Sequence, residues 1–109
     1  MTWRDAIDEA RAGSGKQRPA VKAVLAELER RAPGRSVELR VPPHGATQLI
    51  AGPAHRRGTP KAAIELSVDT LFALALGEVE WADAVASGAV LASGERTDLA
   101  HLFPLEPGS

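Results

Sequence analysis

Residues 71–76, LFALAL, constrain the fold more than any other part of the chain, because a helix of this sequence has no polar side. Leu71, Leu74 and Ala75 form one apolar stripe at helical spacing, and the residues between them are apolar as well. A helix that is apolar on every side must be covered on more than one side. The chain is therefore expected to bury this helix among its other elements.

The residues around this segment define where the helix starts and stops. Residues 61–66 alternate in the period-two pattern of a half-buried strand. Ser67 or Asp69 can accept hydrogen bonds from the free amides of the next turn, which predicts a helix over 69–76. Gly77 supplies the left-handed residue that ends it.

Shorter elements follow toward the C-terminus. A second helix contains Trp81 and stops at Gly88. Residues 89–93 are predicted to form a strand, and Gly94 begins the turn after it. One or two last helical turns precede Pro104.

The N-terminal third is predicted to contain two amphipathic helices. The first covers residues 2–12 and begins with a capping pair, Thr2 and Asp5. Residues 13–15, Gly-Ser-Gly, interrupt the pattern and form a flexible joint. The second helix begins near Pro19, a residue well suited to the first position of a helix.

Two further strands are predicted between these helices and the C-terminal elements. Residues 36–41 alternate, residues 47–51 form an apolar run, and residues 42–45 have the length of a hairpin connection. The order of elements predicts an α+β domain, with a mostly antiparallel sheet of four to five strands packed against helices.

The order of these elements resembles the sterol carrier protein type-2 family. The positions that carry the resemblance are Leu71, Leu74, Gly77, Ala84, Gly88, Val90 and Gly94. The resemblance implies a lipid-holding apolar tunnel between sheet and helices, within a single domain over residues 16–109 that follows the helix and joint of residues 1–15. Members of the family usually close the tunnel with a longer C-terminal helix, whereas here Pro104 interrupts that segment.

Composition excludes several classes of function. The chain of 109 residues has a formal net charge of −1, which gives no overall attraction to nucleic acid. It has no cysteine, which excludes disulfides and thiolate chemistry and is consistent with the cytoplasm. No apolar stretch approaches the roughly 18 residues of a membrane span.

No residue pattern indicates catalysis or a cofactor. The three histidines, His44, His55 and His101, lack ligand spacing, so no metal is expected. No G-x-S-x-G nucleophile elbow is present, and we expect no enzyme activity. The strongest exposed polar cluster is residues 55–61, where Arg56 and Arg57 either hold the anionic head group of a ligand or belong to a solvated loop.

The apolar residues of the C-terminal half form either ordinary core or the wall of a ligand pocket. The candidate wall residues are Leu71, Phe72, Leu74, Val85, Leu102 and Phe103. We expect non-catalytic binding of an apolar or amphipathic small molecule, lipid or sterol-like. Two alternatives remain open: a homodimer formed through the apolar helix face, and an accessory domain beside a separate enzyme, since similar domains occur in mycothiol-dependent isomerases and some acetyltransferases.

Overall fold

The structure, a computed structural model, describes residues 2–13, 15–52, 62–94 and 98–105. Within them the chain folds as helices packed on a sheet of four strands. The elements in chain order are α1 (Trp3–Ala12), α2 (Gln17–Arg31), β1 (Val37–Val41), β2 (Gly45–Leu49), β3 (Ala62–Leu66), α3 (Val68–Leu76), α4 (Trp81–Ala86), β4 (Val90–Ser93) and a 3-10 helix (Ala100–Leu102).

The strand order in the sheet is β2-β1-β3-β4. The central strands β1 and β3 run parallel, with Val37 opposite Ala62. Each central strand also pairs antiparallel with its outer neighbour, β1 with β2 and β3 with β4. The sheet is therefore mostly antiparallel, and the predicted α+β class is confirmed.

The two faces of the sheet differ in polarity. Leu39 of β1 lies opposite Ile64 of β3, and both side chains are buried in the core beneath the helices. Glu38, Arg40 and Glu65 alternate with these residues and lie on the other face, where they are half-buried or exposed. This is the alternation expected of a sheet that is covered on one side.

Helix α3 is buried as the sequence predicts. The Ser67 hydroxyl accepts a hydrogen bond of 3.2 Å from the Thr70 amide, so the helix begins at Val68, one residue before the predicted start. The side chains of Leu71, Phe72 and Leu74 all belong to the main hydrophobic core. The apolar sides of α3 are therefore covered by other elements of the same chain, as expected for a helix without a polar side.

The N-terminal helix α1 packs on the same core. The Thr2 hydroxyl accepts a hydrogen bond from the Asp5 amide at 3.1 Å, and the Asp5 carboxylate accepts one from the Thr2 amide at 3.2 Å, which confirms the predicted capping pair. Trp3 and Ile7 are buried in the core that also contains the sheet and α3. The apolar stripe of α1 therefore has a partner within the chain.

Helix α2 begins at Gln17, two residues before the predicted start at Pro19. Pro19 lies in the first turn, where backbone amides have no partner within the helix, so its missing N–H costs nothing there. Strand β2 also differs from the prediction, since it covers Gly45–Leu49 and not 47–51. Its extent is set by pairing with β1, in which Gly45 lies opposite Val41.

The backbone turns sharply where β2 ends. Ile50 has a positive φ of 70°, which is unfavourable for a β-branched residue. Its amide donates a hydrogen bond of 2.9 Å to the Ala32 carbonyl at the end of α2, and its carbonyl accepts one of 3.1 Å from the Ser36 amide. These bonds join the end of α2 to the end of β2 and stop the strand before the predicted residue 51.

The remaining strand predictions agree with the structure to within one residue at each end. The predicted strands at 36–41 and 89–93 correspond to β1 and β4. The predicted strand at 61–66 corresponds to β3, and its first residue, Lys61, lies outside the described residues. The C-terminal helical segment is a single 3-10 turn, which agrees with the interruption expected at Pro104.

Candidate functional site

A partly open cleft of about 340 Å³ lies at one end of the helix layer. One wall is the link between α3 and α4 together with the first turn of α4, and the other is the segment around the 3-10 helix. The lining residues are Gly77, Val79, Glu80, Trp81, Ala82, Ala100, Phe103 and Pro104. Most of these contribute apolar or aromatic atoms, so the cleft is suited to an apolar group.

Two contacts bring these distant parts of the chain together. The Leu105 amide donates a hydrogen bond of 2.9 Å to the Ala75 carbonyl in the last turn of α3, and the Leu105 side chain is buried. Gly77 ends α3 with a φ of 79° and lies directly against Pro104, whose Cβ would be 3.2 Å from a Cβ at Gly77. The segment at Pro104 and Leu105 is therefore fixed beside the turn that leads into α4.

Two aromatic rings connect the walls. Trp81 is the first residue of α4, and its ring is nearly parallel to that of Phe103, with an interplanar angle of 6° and centroids 5.9 Å apart. Trp81 is buried and Phe103 is half-buried. The stacked pair therefore places aromatic surface in the lining of the cleft and stabilises the contact between its two walls.

The charged groups at the cleft are mostly acidic. The Glu80 carboxylate lines the cleft, is exposed, and has no hydrogen-bond or ion-pair partner among the residues that the structure describes. Glu78 lies at the same turn and forms a salt bridge with Arg11 of α1. The hydrogen bonds from Arg11 lower the pKa of the Glu78 carboxylate, so Glu78 is ionised at neutral pH.

The structure places the predicted wall residues in different environments. Leu71, Phe72 and Leu74 are buried in the core and are not among the residues that line this cleft. Val85 of α4 is 44% exposed, and Leu102 is half-buried. Neither lines the cleft, whereas Phe103 does.

Two candidate residues lie outside the described part of the chain, and two residues of the cleft were not candidates. Arg56 and Arg57, predicted to hold an anionic head group, lie outside the described residues. The sequence places Trp81 on a helix, and no sequence signal indicates Glu80 or Ala100. Those two residues meet at the cleft only through the contacts that fix the segment at Pro104 and Leu105 on α3.

Neither a metal site nor a membrane span is found in the described part of the chain. Among residues 2–13, 15–52, 62–94 and 98–105, no group of three His, Asp or Glu side chains is arranged to hold a metal ion. No helix built from those residues has the length and apolar character needed to cross a membrane.

Comparison with known proteins assigns the family. No curated protein matches the chain. The family model described as bacterial SCP ortholog, where SCP is sterol carrier protein, matches residues 14–105. This match covers most of the chain, including every strand and helices α2 to α4. The chain belongs to the family of bacterial sterol carrier protein orthologs.

Proposed function

We propose that the protein binds an apolar or amphipathic small molecule, lipid or sterol-like, in the aromatic cleft between the α3–α4 link and the C-terminal segment. The observation that carries this proposal is the cleft itself, with a volume of about 340 Å³ and the stacked Trp81 and Phe103 in its lining. Ligand pockets in proteins are commonly apolar cavities of roughly 300–1,000 Å³ with few polar groups. Membership of the carrier family supports the same function.

Burial of the ligand supplies the binding free energy in this proposal. A ligand that hides about 400 Å² of apolar surface gains on the order of 10 kcal/mol before losses. Immobilisation of the ligand and of the side chains around it offsets much of this gain, so we expect micromolar affinity.

The proposed binding involves no covalent chemistry. Among the lining residues that the structure describes, the Glu80 carboxylate is the one ionisable side chain, and none is a serine, threonine, lysine or histidine. Catalysis by a nucleophile and base requires two such groups within hydrogen-bond reach of each other. The described lining therefore supports binding and positioning of a ligand.

The earlier assignments of Leu71, Phe72 and Leu74 to a pocket wall, and of Arg56 and Arg57 to head-group binding, remain predictions. For the three core residues, a ligand would have to enter between α3 and its neighbours and displace packed side chains. For the two arginines, an anionic head would have to reach residues 55–61, which lie outside the described part of the chain. Probe binding to variants at these positions tests both.

The proposal is tested by filling the cleft. Ala82 is exposed on α4 and lines the cleft, so Ala82→Phe should occupy part of its volume without disturbing the core. We expect this variant to bind an uncharged fluorescent probe, a labelled fatty acyl ester, at least about tenfold more weakly than the parent, a loss of about 1.4 kcal/mol. Ala86→Phe, also exposed on α4 but not in the lining, is the matched control. Absence of probe binding to the parent protein would defeat the proposal.

A second candidate function is homodimerisation, favoured by one exposed apolar side chain. Leu91 of β4 is 60% exposed on the open face of the sheet, where it lies opposite Glu65. The apolar face of α3, considered above as a dimer seam, is covered within the chain. A dimer would therefore use the open sheet face, and the mass of the protein in solution decides this point.

A further inference from the structure

Glu80 is the charged side chain among the described residues that line the proposed ligand cleft. It directly precedes α4, yet its carboxylate does not cap the helix, and the described residues provide it with no hydrogen-bond or ion-pair partner. It is exposed and lines the cleft beside Trp81. A carboxylate in this position is free to bind a cationic or hydrogen-bond-donating group of a ligand.

The charges around Glu80 strengthen its preference for a cation. Glu78 precedes it in the same turn, and Asp83 lies in the first turn of α4. The neighbouring cation, Arg11, already donates two hydrogen bonds to the Glu78 carboxylate. Three other titratable groups lie on or beside the described elements around the cleft: Asp69 on α3, the exposed imidazole of His101 on the 3-10 helix, and Asp98, whose carboxylate accepts a hydrogen bond of 2.9 Å from the Ala100 amide.

The aromatic lining points to the same class of ligand. Rings of tryptophan and phenylalanine attract cations through their electron-rich faces, and such rings recognise ammonium groups in many binding sites. Here the half-buried ring of Phe103 lines the cleft together with Glu80, whereas Trp81 also lines it but is 8% exposed and has one ring face stacked on Phe103. Apolar, aromatic and anionic groups are thus combined within one cleft of about 340 Å³.

From these observations we infer that the cleft selects a cationic amphiphile, with its ammonium group at Glu80 and its hydrocarbon part against Val79, Trp81 and Phe103. This inference rests on the proposed function, because it names the charge of the ligand that the cleft binds. An anionic head in the same place would meet Glu80, and the described lining residues provide no cation to compensate, so the head would be repelled. The predicted role of Arg56 and Arg57 implies the opposite charge, so the two ideas can be separated experimentally.

The experiment compares three probes with the same ten-carbon tail: decyltrimethylammonium, decanol and decanoate. Each is titrated below its aggregation concentration, and binding is followed by isothermal calorimetry. We expect decyltrimethylammonium to bind about two- to fivefold more tightly than decanol, as for an exposed ion pair, and decanoate to bind more weakly than decanol. The preference for the cation should fall as the salt concentration rises.

Variants assign the preference to one carboxylate. Glu80→Gln should reduce the affinity for decyltrimethylammonium to near that for decanol while leaving decanol binding unchanged. Glu65→Gln, a change to an exposed carboxylate on the open face of the sheet, is the control and should have no effect.

The outcomes separate this inference from the proposed function. Equal affinities for the three probes, tighter binding of decanoate, or a cation preference that persists in Glu80→Gln would overturn the inference and leave the binding function standing. Failure of all three probes to bind would instead defeat the proposed function, and the inference with it. If Glu80→Gln does not fold, the order of affinities in the parent protein still decides the question.

Discussion

Arg11 and Glu78 form a bidentate salt bridge between α1 and the turn after α3. The Arg11 Nη1 atom lies 2.8 Å from Glu78 Oε2, and Nη2 lies 2.7 Å from Oε1. Arg11 belongs to the segment before residue 14, where the family match begins, whereas Glu78 lies next to two residues that line the cleft. The bridge therefore connects the helix outside the family match to the rim of the candidate site.

We expect Glu78→Gln to lower the melting temperature slightly, because both partners are largely exposed and such pairs contribute little. The hydrogen bonds from Arg11 hold the pKa of Glu78 below its ordinary value of 4.5. Stability from this group is therefore present above that ordinary value and is lost as the pH falls through the lower pKa of the folded state. The difference between parent and variant should shrink in acid and in high salt.

Thermal melts at several pH values measure this difference. Glu9→Gln, a change to an exposed carboxylate on α1 without a side-chain partner among the described residues, serves as the control. A difference between parent and Glu78→Gln that stays constant from neutral to strongly acidic pH would contradict the assignment.

Leu74 distinguishes ordinary core from a pocket wall. Its side chain is completely buried, so Leu74→Ala should cost about 2–5 kcal/mol in the free energy of unfolding. Val85→Ala, at a position that is 44% exposed on α4, should cost much less. Urea denaturation of both variants provides the comparison, together with titration of a fatty acyl probe. A small cost for Leu74→Ala combined with weaker probe binding would show that Leu74 walls a pocket.

Gly34 is expected to tolerate no side chain. It has a φ of 153°, and a Cβ added there would lie 2.1 Å from both the carbonyl carbon and the oxygen of Ile50. Because these are backbone atoms joined to α2 and β1 by hydrogen bonds, Gly34→Ala should destabilise the fold by well over about 1 kcal/mol. Gly13→Ala is the matched control, since its φ is −158° and no atom lies within 4 Å of the added carbon. Equal stability of the two variants would show that Gly34 does not pack against the backbone of Ile50.

Leu91 tests the second candidate function. Because the side chain is 60% exposed, Leu91→Lys should change the stability of a monomer by no more than about 0.5 kcal/mol. If two copies join through the open sheet face, the same change should dissociate them, and the melting temperature of the parent should rise with protein concentration. Light scattering after size-exclusion chromatography measures the mass. A parent that is monomeric at all concentrations excludes the dimer.

The elements predicted correctly are those determined by local sequence. Thr2 with Asp5, Ser67 and Gly77 act on backbone groups within a few residues, so the ends of α1 and α3 could be placed from the sequence. The end of β2 could not, because it depends on hydrogen bonds from Ile50 to Ala32 and from Ser36, which belong to other parts of the chain.

The cleft was predicted only in part, for a similar reason. Phe103 was a candidate because it is a large apolar residue near the C-terminus. Leu74 was a stronger candidate by pattern, yet pattern alone does not distinguish a filled core from a pocket wall. Glu80 belongs to no sequence motif. It becomes a candidate only in the folded structure, where the hydrogen bond from Leu105 to Ala75 brings the two walls of the cleft together.

The parallel pairing of β1 with β3 has a consequence for the order of folding. The β1–β2 hairpin closes a short loop, since Val41 lies opposite Gly45, and it can form early. The pairing of Val37 with Ala62 must instead close a loop that contains the whole hairpin and the segment after it, at a higher entropic cost. We therefore expect docking of the β3–α3–β4 half onto the preformed hairpin to limit the folding rate. Shortening the segment between β2 and β3 would then accelerate folding and leave the unfolding rate nearly unchanged, because the loop is already closed in the transition state.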